Sequence, residues 1–235
     1  MTSDLTLEIA AVAARLVVDE GMEYGPAKRR AADSLGLRTG GRRGGAELPD
    51  NELLEDAVRE HLALFCADTQ PAELLALREL AVQWMARWPE FRPHLCGAVW
   101  RGTATRLSTL HIELYCEDSK AAEIALLDAG VDFDVASAPG PRGQPIDTLL
   151  CELPCRALQT HVLVRLSVLD HDDLRGALKP DARGRSQRGD LAALRRLLDT
   201  QNAQDTSAPP PAAHAPDPSH EHDPLDGSDP AGSHA

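Results

Sequence analysis

The 235-residue sequence has few aromatic side chains: three Trp, two Tyr and three Phe make up 3% of the chain. Because so little of its apolar content is aromatic, a core has to be built mainly from Leu, Val, Ile and Ala. Hydrophobic residues form 43% and charged residues 26% of the sequence, which is ordinary for a globular protein. This length suits one domain with appendages, or two small domains.

Long apolar runs are also absent. No segment approaches the roughly 20 apolar residues that a membrane-spanning helix needs. The first residues, M-T-S-D-L-T-L-E, have neither the basic region nor the apolar core of an export signal. Five cysteines, an odd number, fit a reducing compartment. We therefore expect a cytoplasmic protein without a membrane partner.

Basic residues are fewer than acidic ones, 24 Lys and Arg against 37 Asp and Glu, which gives a net charge of −13. Six acidic residues and no Lys or Arg lie in 201–235, so the rest of the chain carries −7. An acidic body argues against broad affinity for nucleic acids. The basic stretches at 28–30 and 38–47 are therefore interpreted as solvated surface, with a helix–turn–helix or an RNA-backbone contact as the alternative. The sequence does not indicate a protein partner.

The last 35 residues, 201–235, consist mainly of Pro, Ala, Asp and His and contain one Leu as their only large aliphatic residue. Such a composition cannot bury enough apolar surface to offset the entropy lost on ordering. We predict that this tail is disordered and dispensable for folding.

Two common chemical motifs are missing. There is no G-x-x-x-x-G-K-[ST] phosphate-binding loop. Cys151 and Cys155 are separated by three residues instead of two, and no second Cys pair follows at zinc spacing. The cysteines are therefore interpreted as inert thiols.

Residues 1–92 are predicted to be a helical region. Apolar residues recur at helical spacing in about 4–20 and in three later segments. Gly21 is predicted to end the first helix, and Pro26 and Gly36 to begin and end the second helix. Asp50 is predicted to cap the third helix. The fourth helix is predicted to begin near Pro71 and to end at Trp88-Pro89.

Residues 93–200 are predicted to be an α+β domain, a small mixed sheet with helices on one face. In 110–116 Leu110, Ile112 and Leu114 alternate with His111 and Glu113, as expected for a half-buried strand. Strands are predicted at 95–100, 110–116, 131–136, 146–153 and 160–168, and helices at 118–129, after Asp170 and after Asp190.

The stretch 96–116 reads C-G-A-V-W-R-G-T-A-T-R-L-S-T-L-H-I-E-L-Y-C. It resembles the signature of the nucleotidyltransferase superfamily, the polymerase-beta-like fold, in which F-G-S-x-x-x-G leads into S-D-I-D-L. The matching positions are Gly97-Ala98 for Gly-Ser, Arg101-Gly102 for the R-G that is frequent in the family, and Ser108 for the Ser before the acids. The resemblance covers about 95–170.

The resemblance implies a metal-dependent transfer reaction, yet this chain departs from the catalytic pattern. In the family two aspartates on a strand, with a third acid from a neighbouring strand, hold two Mg²⁺ ions that align a nucleotide phosphate with its acceptor. Here the two aspartate positions are Thr109 and His111, and the nearest carboxylate is Glu113. If the fifth strand supplies the third position, Arg165 or Ser167 stands there.

Three hypotheses follow. The first is a catalytically degenerate module without a cofactor. It either binds a nucleotide or another anion, through Gly97, Ala98, Arg101, Gly102, Ser108 and Arg165, or acts as an interaction module. The second is an active transferase, with Mg²⁺ or Mn²⁺ bound by Glu113 together with Asp132, Asp134 or Asp147. The third is a site of other chemistry in which His111 and Glu113 bind Zn²⁺ or Mn²⁺.

Overall fold

The computed structural model describes residues 3–37 and 46–207, with the backbone alone for 204–207. Much of the basic loop at 38–47 and the tail from 208 onward therefore lie outside the described residues. The helices are α1 Asp4–Glu20, α2 Tyr24–Ser34, α3 Asn51–Phe65, α4 Gln70–Met85, α5 Gly97–Arg101, α6 Ser119–Asp128, α7 Asp173–Ala177 and α8 Leu191–Ser207, with a short 3₁₀ turn at Pro89–Phe91. The strands are β1 His94–Cys96, β2 Leu110–Cys116, β3 Asp134–Pro139, β4 Pro145–Cys155, β5 Thr160–Asp170 and β6 Arg188–Asp190.

Aspartate side chains begin three of the longer helices, as the sequence predicts. Asp50 accepts a hydrogen bond from the backbone N–H of Leu53 at 2.7 Å, which satisfies a free donor in the first turn of α3. Asp118 at α6 and Asp190 at α8 accept equivalent bonds at 2.9 and 2.7 Å. These three predicted caps are confirmed, whereas Asp170, also predicted to be a cap, does not cap α7.

Six strands form one mixed sheet in the order β3-β4-β5-β2-β1-β6. The central pair, β2 and β5, is parallel, and every other neighbouring pair is antiparallel. With helices preceding the sheet and inserted along it, the predicted α+β architecture is confirmed. No helix in the described ranges is both long and apolar enough to cross a membrane.

The sheet has one apolar and one polar face, set by alternation along each strand. Leu110 and Ile112 on β2 and Leu166 on β5 are buried in the core that the sheet shares with α4, α6 and α8. His111 and Glu113 point to the other face and lie opposite Arg165 and Ser167 in the parallel register. The polar row predicted on β2 and β5 is therefore present.

Two separate hydrophobic clusters hold the chain together. The smaller one joins α1, α2 and α3 around Ile9, Ala13 and Leu54. The larger one joins α4, α6 and α8 to the apolar face of the sheet. The division between the clusters falls between α3 and α4, whereas the sequence places the domain boundary at residue 92.

A buried carboxylate connects the two clusters. The side chain of Glu55 on α3 is 4% exposed and lies within 3.2 Å of three guanidinium groups. Arg59 belongs to the same helix, whereas Arg101 ends α5 and Arg185 lies in the loop before β6. Outside this group, Arg183 pairs with the exposed carboxylates of Glu52 and Asp56. The junction between the three-helix unit and the sheet therefore includes a polar network.

The structure corrects the predicted strand at 95–100. The strand ends at Cys96, and 97–101 form the short helix α5, because the backbone of Gly97 takes a φ of +70° that an extended strand does not contain. The second correction is β6, which pairs with β1 inside a region predicted to be a loop. Its three residues, R-G-D, are too short and too polar to be recognised as a strand.

Three other boundaries differ from the sequence predictions. β3 begins at Asp134 and extends to Pro139, into the predicted hairpin loop. Asp170 ends β5, and α7 begins three residues later. Helix α8 extends to Ser207 instead of ending near 200, and Gln201 accepts a hydrogen bond from Arg78 on α4 at 2.7 Å. The helix thus continues past the predicted boundary at 200, and Gln201 belongs to the folded part of the chain.

Replacing Glu55 by Gln is expected to lower the free energy of unfolding by about 3 kcal/mol, since three guanidinium groups would then lose the buried carboxylate that they share. The melting temperature should fall by about 6 °C. Glu52→Gln is the matched control, because its ion pair with Arg183 is exposed and should contribute less than about 0.5 kcal/mol. Equal melting temperatures for the two variants would contradict this role of Glu55.

Truncation after residue 200 is expected to destabilise the protein relative to truncation after 207. The shorter chain loses the hydrogen bond between Gln201 and the guanidinium of Arg78, a buried residue. A hydrogen bond to a charged group contributes about 1.5 kcal/mol or more. Chemical denaturation of the two truncated chains measures the difference, and identical unfolding curves would show that 201–207 do not stabilise the fold.

Candidate functional site

A cavity of about 250 Å³ with a mixed polar and apolar wall lies where the three-helix unit meets β1, α5 and β2. Its volume is somewhat below the range of about 300–1,000 Å³ that is usual for small-molecule sites. The sheet side of its wall includes five of the residues singled out in the sequence, namely Gly97, Ala98, Arg101, Ser108 and His111. The helical side supplies Val17, Gly21, Met22, Glu23, Tyr24 and Asn51. We call this space the cleft.

Gly97 brings the backbone close to the cleft. A Cβ atom at this position would lie 3.5 Å from the imidazole ring of His111 and would require a strained φ of +70°. Glycine therefore permits the chain to turn from β1 into α5 directly beside β2. Ala98 follows within the same turn and also borders the cleft.

His111 contacts a carboxylate from the three-helix unit. Its Nε2 lies 2.8 Å from Oε1 of Glu23, the residue that precedes α2. The hydrogen bond from His111 holds the pKa of Glu23 below its usual value, against the opposing effect of partial burial. The positive charges of Arg165 and Arg101 act in the same direction. The pair thus places a carboxylate and an imidazole together in the wall of the cleft.

Arg101 lies between the cleft and the junction. Its guanidinium carbon is 5.4 Å from the centre of the Tyr24 ring, and its Nε is 3.0 Å from Glu55 Oε2. The same Nε is buried and has no hydrogen bond within the described residues, so the contact with Glu55 is an ion pair of poor hydrogen-bond geometry. Arg101 is therefore held in place while retaining unused donor capacity.

Ser108 and Gly102 have different positions. Ser108 closes a tight turn, in which its hydroxyl accepts from the backbone N–H of Thr105 at 3.0 Å, and it borders the cleft. Gly102 follows α5 and is not part of the cleft wall; its carbonyl accepts a hydrogen bond from Gln70. Of the predicted binding residues on 96–116, Gly102 alone is placed outside the cleft.

Glu113 does not reach the cleft. Its carboxylate forms an ion pair with the Arg188 guanidinium and accepts a hydrogen bond from the Tyr115 hydroxyl at 2.6 Å. Burial and this bond raise the pKa of Tyr115. His111 and Glu113 therefore lie on one face of β2, yet each is engaged with a different partner.

Arg165 stands where the sequence predicts, opposite His111 on β5. Its Nε is buried and has no hydrogen-bond partner in the described part of the chain. It does not border the cleft directly, but its charge acts on Glu23 as described above. Arg165 thus contributes positive potential behind the His111 wall.

The acids considered as substitutes for the missing aspartates are not brought to Glu113. Asp134 lies on β3, three strand spacings or about 14 Å from β2. Asp147 lies on β4 in line with Leu149 on the apolar face, where it is 3.8 Å from Lys120 of α6. Asp132 precedes β3, at the same distant edge. Two-metal sites need their ions about 4 Å apart, which this spacing does not provide.

Sequence reasoning missed Glu23 and Arg188. Glu23 lies 88 positions before His111, and nothing in its neighbourhood, G-M-E-Y-G, indicates a partner on a strand. Arg188 belongs to the unrecognised strand β6. The thiol of Cys96, which borders the cleft, has its pKa raised to about 12 by burial, so the interpretation as an inert thiol agrees with the structure.

Glu23→Gln is expected to reduce stability most above pH 5 and least near pH 3. The lowered pKa means that the ionised carboxylate contributes stability above its usual pKa of 4.5, and this contribution is lost as pH falls through the lower value in the folded protein. Because the Glu23 side chain is 48% exposed, the difference in melting temperature should be only about 2 °C. Thermal unfolding between pH 3 and 6 measures it.

The control is Glu20→Gln, which removes an exposed ion pair with Arg30 on the same side of the three-helix unit. A difference between wild type and Glu23→Gln that does not change with pH would contradict the assigned role of the His111 contact.

Comparison with known proteins adds no family to this geometry. No family model, curated protein or solved structure matches the chain. The similarity to nucleotidyltransferases therefore depends on the residues of 96–116, and the function has to be argued from the cleft itself.

Proposed function

We propose that this protein is a nucleotidyltransferase-like module that has lost metal-dependent catalysis and binds a nucleotide or a related anionic ligand in the cleft. The observation that supports this most directly is the position of Glu113. It is the one carboxylate of β2, and its charge is paired with Arg188 outside the cleft. Thr109 and His111 stand at the two aspartate positions.

The residues present do not fit the pair of Mg²⁺ ions that the family implies. Mg²⁺ requires several oxygen ligands at short distance and near-octahedral geometry. Glu113 already interacts with a guanidinium and a phenol, and the imidazole of His111 is a poor ligand for a hard cation. Among the residues that the structure describes, no group of three or more His, Cys, Asp or Glu side chains is arranged to hold a metal ion.

Guanidinium groups replace the metal as a source of positive charge in this proposal. Arg101 borders the cleft and Arg165 lies behind His111. Arginine recognises phosphate and carboxylate groups through directional, charge-assisted hydrogen bonds. An anionic group beside Arg101 would also reach the turn that contains Ser108 and the backbone near Gly97.

Glu23 favours a nucleotide over a simple anion. Its carboxylate borders the same cleft, so a ligand that is negative throughout would be repelled at this end. A nucleotide has an anionic phosphate and, separately, hydroxyl and amino groups that donate hydrogen bonds. The proposal therefore orients the phosphate toward Arg101 and a donor group toward Glu23.

The second hypothesis, an active transferase, and the third, a His111 and Glu113 transition-metal site, both require Glu113 to leave Arg188. Both of these hypotheses predict that ligand binding or activity depends on a metal ion. The binding-module hypothesis predicts ligand binding without a metal ion. Measurements of binding with and without metal therefore distinguish it from the other two.

Calorimetric titration of the protein with ATP, CTP, GTP and UTP should detect at least one ligand with equal affinity, within about twofold, in Mg²⁺ and in EDTA. His111→Ala should weaken binding about tenfold, or about 1.4 kcal/mol, because it removes a cleft wall and releases Glu23. His161→Ala, an exposed histidine on β5 outside the cleft, is the control. Glu113→Gln should leave the affinity unchanged.

Incubation with each α-labelled nucleotide and Mn²⁺ gives the opposing test. We expect no label on protein, RNA or small acceptors. Label that is transferred by the wild-type protein and lost in folded Glu113→Gln would overturn the proposal in favour of the active enzyme. Absence of binding by all four nucleotides, with or without metal, would exclude the nucleotide module.

A further inference from the structure

A second cavity lies on the other side of Arg101. It has a volume of about 230 Å³ and is bordered by α3, α5, the loop before β6, and α8. Three guanidinium groups line it, those of Arg59, Arg101 and Arg185, together with the Trp100 ring and the carboxylate of Glu55. It is separate from the cleft, and among the residues that the structure describes Arg101 alone borders both.

We propose that this second cavity is a binding site for a small tetrahedral oxyanion, such as inorganic phosphate or sulfate. Guanidinium groups bind such ions through paired N–H donors in a fixed geometry. Three of them converge here from separate parts of the chain, an arrangement that a solvated surface does not require. The inference does not rest on the function proposed for the cleft, although Arg101 borders both cavities.

The charges of the residues around the cavity favour the binding of an anion. Three guanidinium groups form ion pairs with the Glu55 carboxylate. Arg185 forms a second ion pair with Asp181, which precedes it by four residues. Counted with Asp181, the groups that line the cavity therefore carry one net positive charge. Glu52 and Asp56 lie further out and pair with Arg183. The charge of Asp56 also acts on Arg185 and Arg59, an effect that solvent weakens because the Asp56 side chain is 46% exposed.

Hydrogen-bond donors are also available. The described bonds of Arg59 use Nη2, those of Arg101 use Nη1, and those of Arg185 use Nε and Nη1. Within the described residues, each guanidinium thus retains a terminal nitrogen without a hydrogen bond. A tetrahedral oxyanion has four oxygens that can accept from such donors.

The cavity is rigid on one side and open on the other. Trp100 donates its indole N–H to the Ser186 carbonyl at 2.9 Å and packs so closely on Gly189 that a Cβ there would overlap the ring. Arg59 and Arg185 are 42% and 36% exposed, which gives an ion access from solvent. The site is therefore held in shape before an ion binds.

Calorimetric titration of the full chain with sodium phosphate, at an ionic strength held constant with NaCl, tests the proposal. We expect saturable binding of phosphate, with sulfate as a competitor and acetate weaker by tenfold or more. Arg59→Gln and Arg185→Gln should each weaken phosphate binding at least tenfold. Arg59→Lys and Arg185→Lys, which preserve the charge, should weaken it less and serve as second variants if a Gln variant fails to fold.

Arg183→Gln is the matched control. It removes the same charge from the same loop, but Arg183 pairs with the outer acids and does not line the cavity. It should leave phosphate binding unchanged within about twofold. Equal losses in Arg183→Gln and Arg185→Gln would show a diffuse charge effect and overturn the site, as would the absence of saturable phosphate binding.

His111→Ala separates this site from the cleft. It should weaken nucleotide binding and leave phosphate binding by the second cavity unchanged. Loss of phosphate binding in His111→Ala, with retention in Arg59→Gln, would instead assign the ion to the cleft and refute the second site.

Discussion

The ion pairs of Glu55 define how the two halves of this molecule meet. The hydrophobic cluster of α1–α3 and the cluster on the sheet have no residue in common, so neither core alone fixes their relative position. A carboxylate that is 4% exposed joins Arg59 of its own helix to Arg101 and Arg185 of the sheet unit. Such a buried charge is tolerated only while its partners remain in place, which makes the geometry of the junction specific.

Both cavities follow from this polar junction. An apolar interface would close by side-chain packing, whereas guanidinium and carboxylate groups keep hydrogen-bonding directions that leave space beside them. The cleft lies on the Tyr24 side of Arg101 and the second cavity lies on the Trp100 side. Since Arg101 contacts Glu55 between them, a ligand in either cavity would act on the same ion pair.

The sequence predicts the elements better than it predicts the site. Helix caps such as Asp50 and Asp118, and the alternation in β2, depend on neighbours within a few residues and are readable from the chain. The polar row was predictable as well, since Arg165 aligns with His111 once β2 and β5 are parallel. The contact of Glu23 with His111 depends on how two units dock, and no local pattern encodes that.

Arg188 compensates the charge of Glu113 on the polar face of the sheet. A lone Glu113 on a partly buried strand face would cost desolvation energy without an ionic partner. In the metal-dependent proteins that the motif resembles, that partner is a cation held by several acids, whereas here β6 supplies a guanidinium from the protein itself. The positive charge that balances Glu113 on this face thus belongs to the chain itself. A guanidinium can thus supply the positive charge that a metal ion would otherwise bring. The same argument, applied to Arg101 at the cleft, is the physical basis for proposing that the protein binds an anion without a metal.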